Sequence, residues 1–418
     1  MLVFLFIFLL FANYLQMMVG EVKYYDEAIT LIGLFLIIYY RNEWKELERD
    51  YRKMMLCLFP VLAIGIISTI RYHIQPQFAG IWRDFLAVSK FPICYYAYSL
   101  YARHVNLQKI MKKIIPIVKA FTLICFGFGI TIFVARSPFN GILYHGERYG
   151  FPIFDMGFSH NTFLIAVLLM NIAVLIADGS KKNALYVLLG VACVLFTMRS
   201  KPMLVLVFLA TVLFVRRRFS FRFTKKNIVA YTFFILILTY LAAANQIDRY
   251  VGYGESAARG ACYFYGAIIA NNLFPLGAGF CTFSSSLSGV YYSPLYYEFK
   301  LENIEGLMPD NFTYAADTFW PNIFSQYGWI GFFFYIMMLY FMVKTIHKRF
   351  LPLSDQWIAG MLIIVYSISA AFAEAIFTNA TAVDFALILT LFIGENNEYR
   401  PTNSFSFFRR RRKIYSGS

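Results

Sequence analysis

The chain has 418 residues, of which 60% are hydrophobic, 20% aromatic and only 15% charged, against roughly half apolar and a quarter charged in an ordinary soluble domain. That balance excludes a water-soluble globular enzyme and distributes the length over membrane spans rather than over soluble domains. The formal net charge of +15 does not point to nucleic acid, because the basic residues stand in short clusters between apolar runs, as expected when positive loops are retained on the cytoplasmic side.

Met1-Leu2-Val3-Phe4 is apolar at once, with no basic stretch and no small-residue cleavage site nearby, so the first run reads as a span rather than a removable signal peptide. Runs of near-spanning length stand at about 2–19, 25–40, 54–70, 82–100, 114–135, 158–176, 183–198, 203–215, 227–244, 328–343, 357–376 and 383–394. They predict an all-α, polytopic membrane protein of about twelve transmembrane helices (range roughly ten to thirteen), forming a single membrane domain over residues 1–418. The run at 82–100, which carries Arg83 and Lys90, is one reason for the range.

Orientation follows from the loops. Arg41, Lys45, Arg49, Arg52 and Lys53 form one cluster, Arg216, Arg217, Arg218, Arg222, Lys225 and Lys226 a second, and Arg409 to Lys413, in a basic tail at 395–418, a third. With about twelve spans all three fall on one side, together with Arg103, Lys109, Lys112, Lys113, Lys181, Lys182, Lys344, Lys348 and Arg349, so both termini are expected in the cytoplasm. The expected location is the cytoplasmic membrane, with membrane lipid as the surrounding partner.

Residues 245–322 form the longest non-spanning stretch and land on the outer side, where ~80 residues exceed any ordinary helix connector. Within this large extracytoplasmic loop, Ala261 to Phe274 reads as an amphipathic helix, Pro275-Leu276-Gly277-Ala278-Gly279 as turns, and Tyr291 to Asp317 as a tyrosine-rich, mildly acidic segment suited to the membrane interface. The six cysteines show no metal-ligand spacing. Only Cys262 and Cys281 fall in the outer loop, where free thiols are the favoured reading and a disulfide the alternative.

Cations at the outer ends of spans are candidates for chemistry, since charge there is expensive and disfavoured by topology. Arg199 and Lys201, in Met198-Arg199-Ser200-Lys201-Pro202, crowd a connector only a few residues long. Arg249 and Arg259 are the arginines of the large loop, and a guanidinium grips phosphate oxygens bidentately where a lysine is a point charge. Arg71, Arg136 and Arg148 fall on the same side and read as ordinary surface. For acid–base work the candidates are Asp317, where the loop meets the next span, Glu374, near the outer end of an apolar helix, His160, which starts a span, and, more weakly, His145 with Glu147. Glu374 is expected to pair with one of the cations. The sequence contains no Walker loop, no GxSxG elbow and no HExxH, so ATP-driven transport, serine hydrolysis and zinc proteolysis lack their parts.

In four stretches the chain resembles the O-antigen polymerase and ligase superfamily, and within it the Wzy-type polymerases of exopolysaccharide and capsule pathways. Met198-Arg199-Ser200-Lys201 is similar to the family's Arg-Ser-Lys after a span, and Arg259 with Asn272-Leu273-Phe274-Pro275-Leu276-Gly277-Ala278-Gly279 to its arginine and "PLGxG" element. Asp317-Thr318-Phe319-Trp320-Pro321 with Gln326-Tyr327-Gly328-Trp329-Ile330-Gly331 resembles the end of its large loop and the next helix, making Trp320 a further candidate. Glu374, Phe377 and Asn379 match a later "E-x-x-F-x-N" pattern. The resemblance covers about half the chain, from Arg199 onward. Family ligases carry His-Asn where this chain has Asp317-Thr318, a departure that favours polymerase over ligase.

The resemblance implies glycosyl transfer with neither metal nor cofactor. A glycan on a polyprenyl diphosphate moves onto a sugar hydroxyl of a second lipid-linked chain, outside the cytoplasm. Arg199, Lys201, Arg259 and Arg249 would hold the diphosphate, and Asp317, with Glu374 in reserve, would take the acceptor proton. A chain-length regulator and a flippase are the protein partners the family implies. A ligase is the nearest enzymatic alternative, and a lipid-linked oligosaccharide flippase the non-enzymatic one.

Overall fold

The computed structural model describes residues 1–20, 24–45, 49–134, 143–148, 150–218 and 254–393. The expected span at 227–244, Arg249, Arg136 and the basic tail at 395–418 lie outside these residues.

The described residues are mostly helical. In chain order the helices are α1 (Leu2–Met18), α2 (Tyr25–Tyr39), α3 (Arg49–Tyr72), α4 (Phe78–Ala102), α5 (Leu107–Val134), α6 (Asn161–Ala177), α7 (Ala184–Phe196) and α8 (Ser200–Arg218). The segment read as the large loop contributes α9 (Ala258–Asn272), α10 (Ser286–Val290) and α11 (Pro294–Glu298), and α12 (Phe319–Arg349), α13 (Asp355–Ala370) and α14 (Thr381–Ile393) follow. Every apolar run that falls within the described residues coincides with a helix. The exception to an all-α chain is an antiparallel hairpin between α5 and α6, β1 (Tyr144–Arg148) paired with β2 (Phe151–Phe154). Gly146, inside β1 where the register shifts, and Gly150, just before β2, are both at positive φ, a conformation glycine adopts without steric cost.

Three of these helices, α3, α5 and α12, are long and apolar enough to cross a membrane; α1, α6, α13 and α14 are apolar but shorter. Leu56, Phe59, Ile66, Ile67 and Ile70 of α3 and Leu123, Ile124, Phe128 and Ile130 of α5 are exposed on the outside of the bundle. Water tolerates such bands poorly, whereas lipid is their natural surrounding. The centre is equally apolar: α6 is buried along its whole length and α4 from Val88 to Leu100, as expected of helices hydrophobic on every side. α6 packs against α7, α13 and α14; α4 packs against α2 and α14.

α12 is two helical pieces meeting at Gly328, whose φ of 63° and ψ of −179° are not helical. The turn at 275–279 lies directly against this break. Ala278 N donates to Ser325 O at 2.8 Å and Gly279 N to Gln326 O at 2.9 Å. A Cβ on Gly277 would meet the Gln326 carbonyl at 2.5 Å and Gly328 N at 2.4 Å, and one on Gly328 would meet Leu276 O at 2.5 Å. Two backbones therefore touch where no side chain fits. Gln326 continues the join: its Oε1 accepts from Cys281 N at 3.1 Å and its Nε2 donates to Phe283 O at 2.9 Å. From α4, Asp84 accepts from the same Cys281 N–H at 2.8 Å. These contacts fix the outer segment to the bundle and set the start of α12.

Gly277→Ala must push two backbones apart and is expected to lower stability by about 1–3 kcal/mol, the range of overpacked sites. Gly127→Ala in α5, where a Cβ meets nothing within 4 Å, should be neutral or slightly stabilising. Thermal unfolding of the two variants in one detergent checks the contrast; equal melting temperatures would show that the two turns do not pack as described.

Candidate functional site

At one end of the bundle several connectors meet: the hairpin and the start of α6, the turn between α7 and α8, the first turn of α9, the start of α12, and the turn between α13 and α14. Each brings a charged or strongly polar side chain.

The α7–α8 turn is short because α7 ends at Phe196 and α8 starts at Ser200, with Met198 at positive φ between them. It turns Arg199 toward α6, where Nη2 donates to Asn161 Oδ1 at 3.0 Å, while Asn161 Nδ2 donates to Phe154 O of β2 at 3.1 Å. From β1, Arg148 reaches the same turn, donating through Nη1 to Met198 O at 3.3 Å. Burial, and after it the neighbouring Arg148, lowers the pKa of Arg199 from its ordinary value; a guanidinium stays charged regardless. Its Nε is buried with no hydrogen-bond partner.

Lys201, in the first turn of α8, donates through Nζ to Glu374 Oε1 and to Ala373 O, each at 2.7 Å. The expected pairing of Glu374 with a cation is thus formed, although Glu374 lies in the turn after α13, which ends at Ala370, rather than on a helix. Its second oxygen, Oε2, is buried without a partner. Arg259 lies within the first turn of α9 rather than just ahead of it, and its Nη2 donates to Asp317 Oδ2 at 2.6 Å. The N-cap of α12 is Thr318, not Asp317. The two ion pairs belong to one neighbourhood, since Lys201 lies in the electrostatic field of Arg259 and Asp317 as well as Glu374.

His160 caps α6, its Nδ1 accepting from Thr162 N at 3.2 Å. It lies in the field of Arg199, Glu374, Asp317 and Lys201, so it lines the cluster with its helix-facing nitrogen engaged. Trp320 is buried in the first turn of α12, 6.1 Å from Phe372 between ring centroids, and its Nε1 has no partner. Cys262 lies on α9 beside Ser284 and Thr318, and burial pushes its thiol up to about 11, so it is no thiolate nucleophile at neutral pH. All six cysteines are free, which settles Cys262 and Cys281 in favour of thiols. Among the described residues no group of three or more His, Cys, Asp and Glu is placed to hold a metal ion.

Arg199, Lys201, Arg259, Asp317, Glu374 and His160 thus come together from distant parts of the chain. Arg249 lies outside the described residues. Arg148, read from the sequence as ordinary surface, belongs to the cluster; the glycines flanking it signalled the hairpin that carries it inward. Asn161 and Tyr263, whose hydroxyl donates to Phe372 O at 3.0 Å, carried no sequence signal. Among the described residues four cations, Arg148, Arg199, Lys201 and Arg259, thus outweigh two carboxylates, Asp317 and Glu374, in a partly buried cluster. Such an arrangement suits a multiply charged anion with several oxygens. No protein-family model matches the chain, and no curated protein sequence matches it.

Removing one member of the Lys201–Glu374 pair leaves a partly buried charge uncompensated. Lys201→Met is expected to cost about 1–3 kcal/mol, below the 3–5 of a fully buried pair, because the side chains keep 21% and 18% of their surface. Adding Glu374→Gln should return most of that loss. A thermal double-mutant cycle measures the coupling, and strictly additive losses would mean that the pair is not formed.

Proposed function

We propose that this protein polymerises polyprenyl-diphosphate-linked oligosaccharide repeat units into a surface polysaccharide, as a Wzy-type member of the O-antigen polymerase and ligase superfamily. The single observation that carries the reading is the convergence of Arg199, Lys201 and Arg259 with Asp317 and Glu374 at one end of an apolar bundle. These are the residues on which the sequence resemblance rests. In this reading the bundle has about twelve spans, both termini lie in the cytoplasm, and the cluster opens on the outer face of the cytoplasmic membrane. The shorter helices count as spans: the 17 residues of α1 rise about 26 Å, a little less than a typical hydrocarbon core.

The donor is activated by its own diphosphate. The bond between the anomeric carbon and the phosphate oxygen breaks, a bond from that carbon to an acceptor hydroxyl oxygen forms, and the electron pair leaves with the polyprenyl diphosphate. What the protein must supply is stabilisation of the charge growing on the leaving group, and a base. Arg199, Lys201 and Arg259, aided by Arg148, supply the first, each contributing on the order of 2–4 kcal/mol in a preorganised site. Asp317 receives the acceptor proton, with Glu374 in reserve. Without substrate both carboxylates are tied to cations, Asp317 to Arg259 and Glu374 to Lys201. Diphosphate oxygens would take over Arg259 and release Asp317, so the base becomes available only when the donor is seated. A chain-length regulator and a flippase delivering the donor are the protein partners of this reading.

Reconstitution with purified lipid-linked repeat unit tests it. Chain growth is the expected result; transfer to a different acceptor would make the protein a ligase, and movement between leaflets without bond formation a flippase. With expression matched to wild type, Arg259→Ala should cut polymer yield by about 30- to 1,000-fold, the equivalent of one lost donor. Asp317→Asn should leave lipid-linked repeat units to accumulate. Normal polymer from either variant would remove that residue from its role.

A further inference from the structure

A second ion pair lies inside the bundle. Lys90 is 3% exposed in the middle of α4, and its ammonium donates to the carboxylate of Asp26 on α2. Burying an ammonium among apolar helices costs several kcal/mol, which one well-placed carboxylate offsets. Lys90 makes a further bond, from Nζ to Thr378 O at 3.2 Å. Thr378 lies in the α13–α14 turn, four residues beyond Glu374.

That turn is held from two directions. From the side of the cluster, Phe319 N donates to Ala371 O at 3.1 Å, Tyr263 to Phe372 O and Lys201 to Ala373 O. From the core side come Lys90 and the Phe377 ring, which packs 5.1 Å from Phe91, the residue next to Lys90, and 5.2 Å from Phe319. Between them the chain closes on itself, with Thr378 N and Asn379 N both donating to Ala375 O at 2.9 Å and Asn379 Oδ1 capping α14 at Thr381 N. Glu374 is suspended between the two anchors, facing Lys201.

We propose that Lys90 is a positioning residue for Glu374. Its bond to the Thr378 carbonyl fixes the core side of the α13–α14 turn, and thereby the distance between Glu374 and Lys201. The link to reaction rate rests on the glycan-transfer reading; the link to the turn's geometry does not. Lys90 touches no group of the cluster, so its loss should act on how the site is arranged rather than on how it binds. A displacement of about 1 Å remote from the chemistry is enough for a rate loss on the order of 100-fold.

The test replaces the whole pair, Lys90→Met with Asp26→Leu, because apolar substitution of both partners avoids an orphaned charge. Two measurements are made on the full-length protein in lipid nanodiscs: amide hydrogen exchange over residues 371–383, and kcat and KM for the lipid-linked repeat unit. Local exchange should rise at least about 10-fold while exchange in α6 stays as in wild type. kcat should fall about 10- to 100-fold, with KM within about 3-fold. Unchanged exchange overturns the proposal, as does faster exchange with kcat intact, or a loss confined to KM. Should the double variant not fold, Lys90→Gln takes its place, since its amide can still face Asp26 but ends one bond short of the Thr378 carbonyl. If wild-type protein shows no chain growth, the glycan-transfer reading fails and the exchange measurement alone decides the role of Lys90 in the turn.

Discussion

The 2.6 Å contact between Arg259 and Asp317 joins the first helix of the outer segment to the start of α12, across 57 intervening residues of chain. With Lys201–Glu374 it closes a ring of connectors around one end of the bundle. Neither pair is deeply buried, so neither contributes much stability alone. Their effect is to hold charge in place: each cation is kept in position by a carboxylate that a stronger anion can displace. This arrangement depends on the contact between the 275–279 turn and the break at Gly328, because that contact fixes where α12 begins and hence where Asp317 stands. A side chain at Gly277 would move the carboxylate without touching it.

Much of this could be read from residue order. Apolar runs became helices because a long stretch without a polar face has few other ways to satisfy its backbone in lipid. Arg199, Lys201, Arg259, Asp317, Glu374 and His160 were legible because charge at the end of an apolar run is costly, so its presence there needs a reason. The partners were not legible. Local pattern carries no record that Lys201 meets Glu374, 173 positions away, or that Lys90 meets Asp26. Lys90 made α4 read as a doubtful span, yet α4 is among the most deeply buried helices, because its lysine is neutralised by a neighbouring helix rather than by water. The glycines of the 275–279 turn and Gly328 looked like separate motif elements; the structure shows one backbone-to-backbone join. The apolar run in the sequence starts at about 328, so the helical piece before the break, which carries Asn322, Ser325 and Gln326, does not read as part of α12.

The distribution of ion pairs along the bundle axis bears on function. At the end opposite the cluster, Asp50 of α3 meets Lys348 and, at 4.0 Å, Lys344 of α12, Arg216 of α8 meets Asp355 of α13 at 2.6 Å, and Glu43 meets Arg103 at 3.7 Å. These contacts tie helix ends together, with each carboxylate meeting at least one cation. At the cluster, among the described residues, Arg148, Arg199, Lys201 and Arg259 outnumber Asp317 and Glu374, and a buried Arg199 Nε and Glu374 Oε2 remain without partners. An unsaturated, net positive group at a helix-bundle mouth costs folding free energy that packing must offset. Under the glycan-transfer reading the substrate brings both missing partners: an anionic oxygen for the Arg199 Nε–H donor and a hydroxyl donor for Glu374 Oε2.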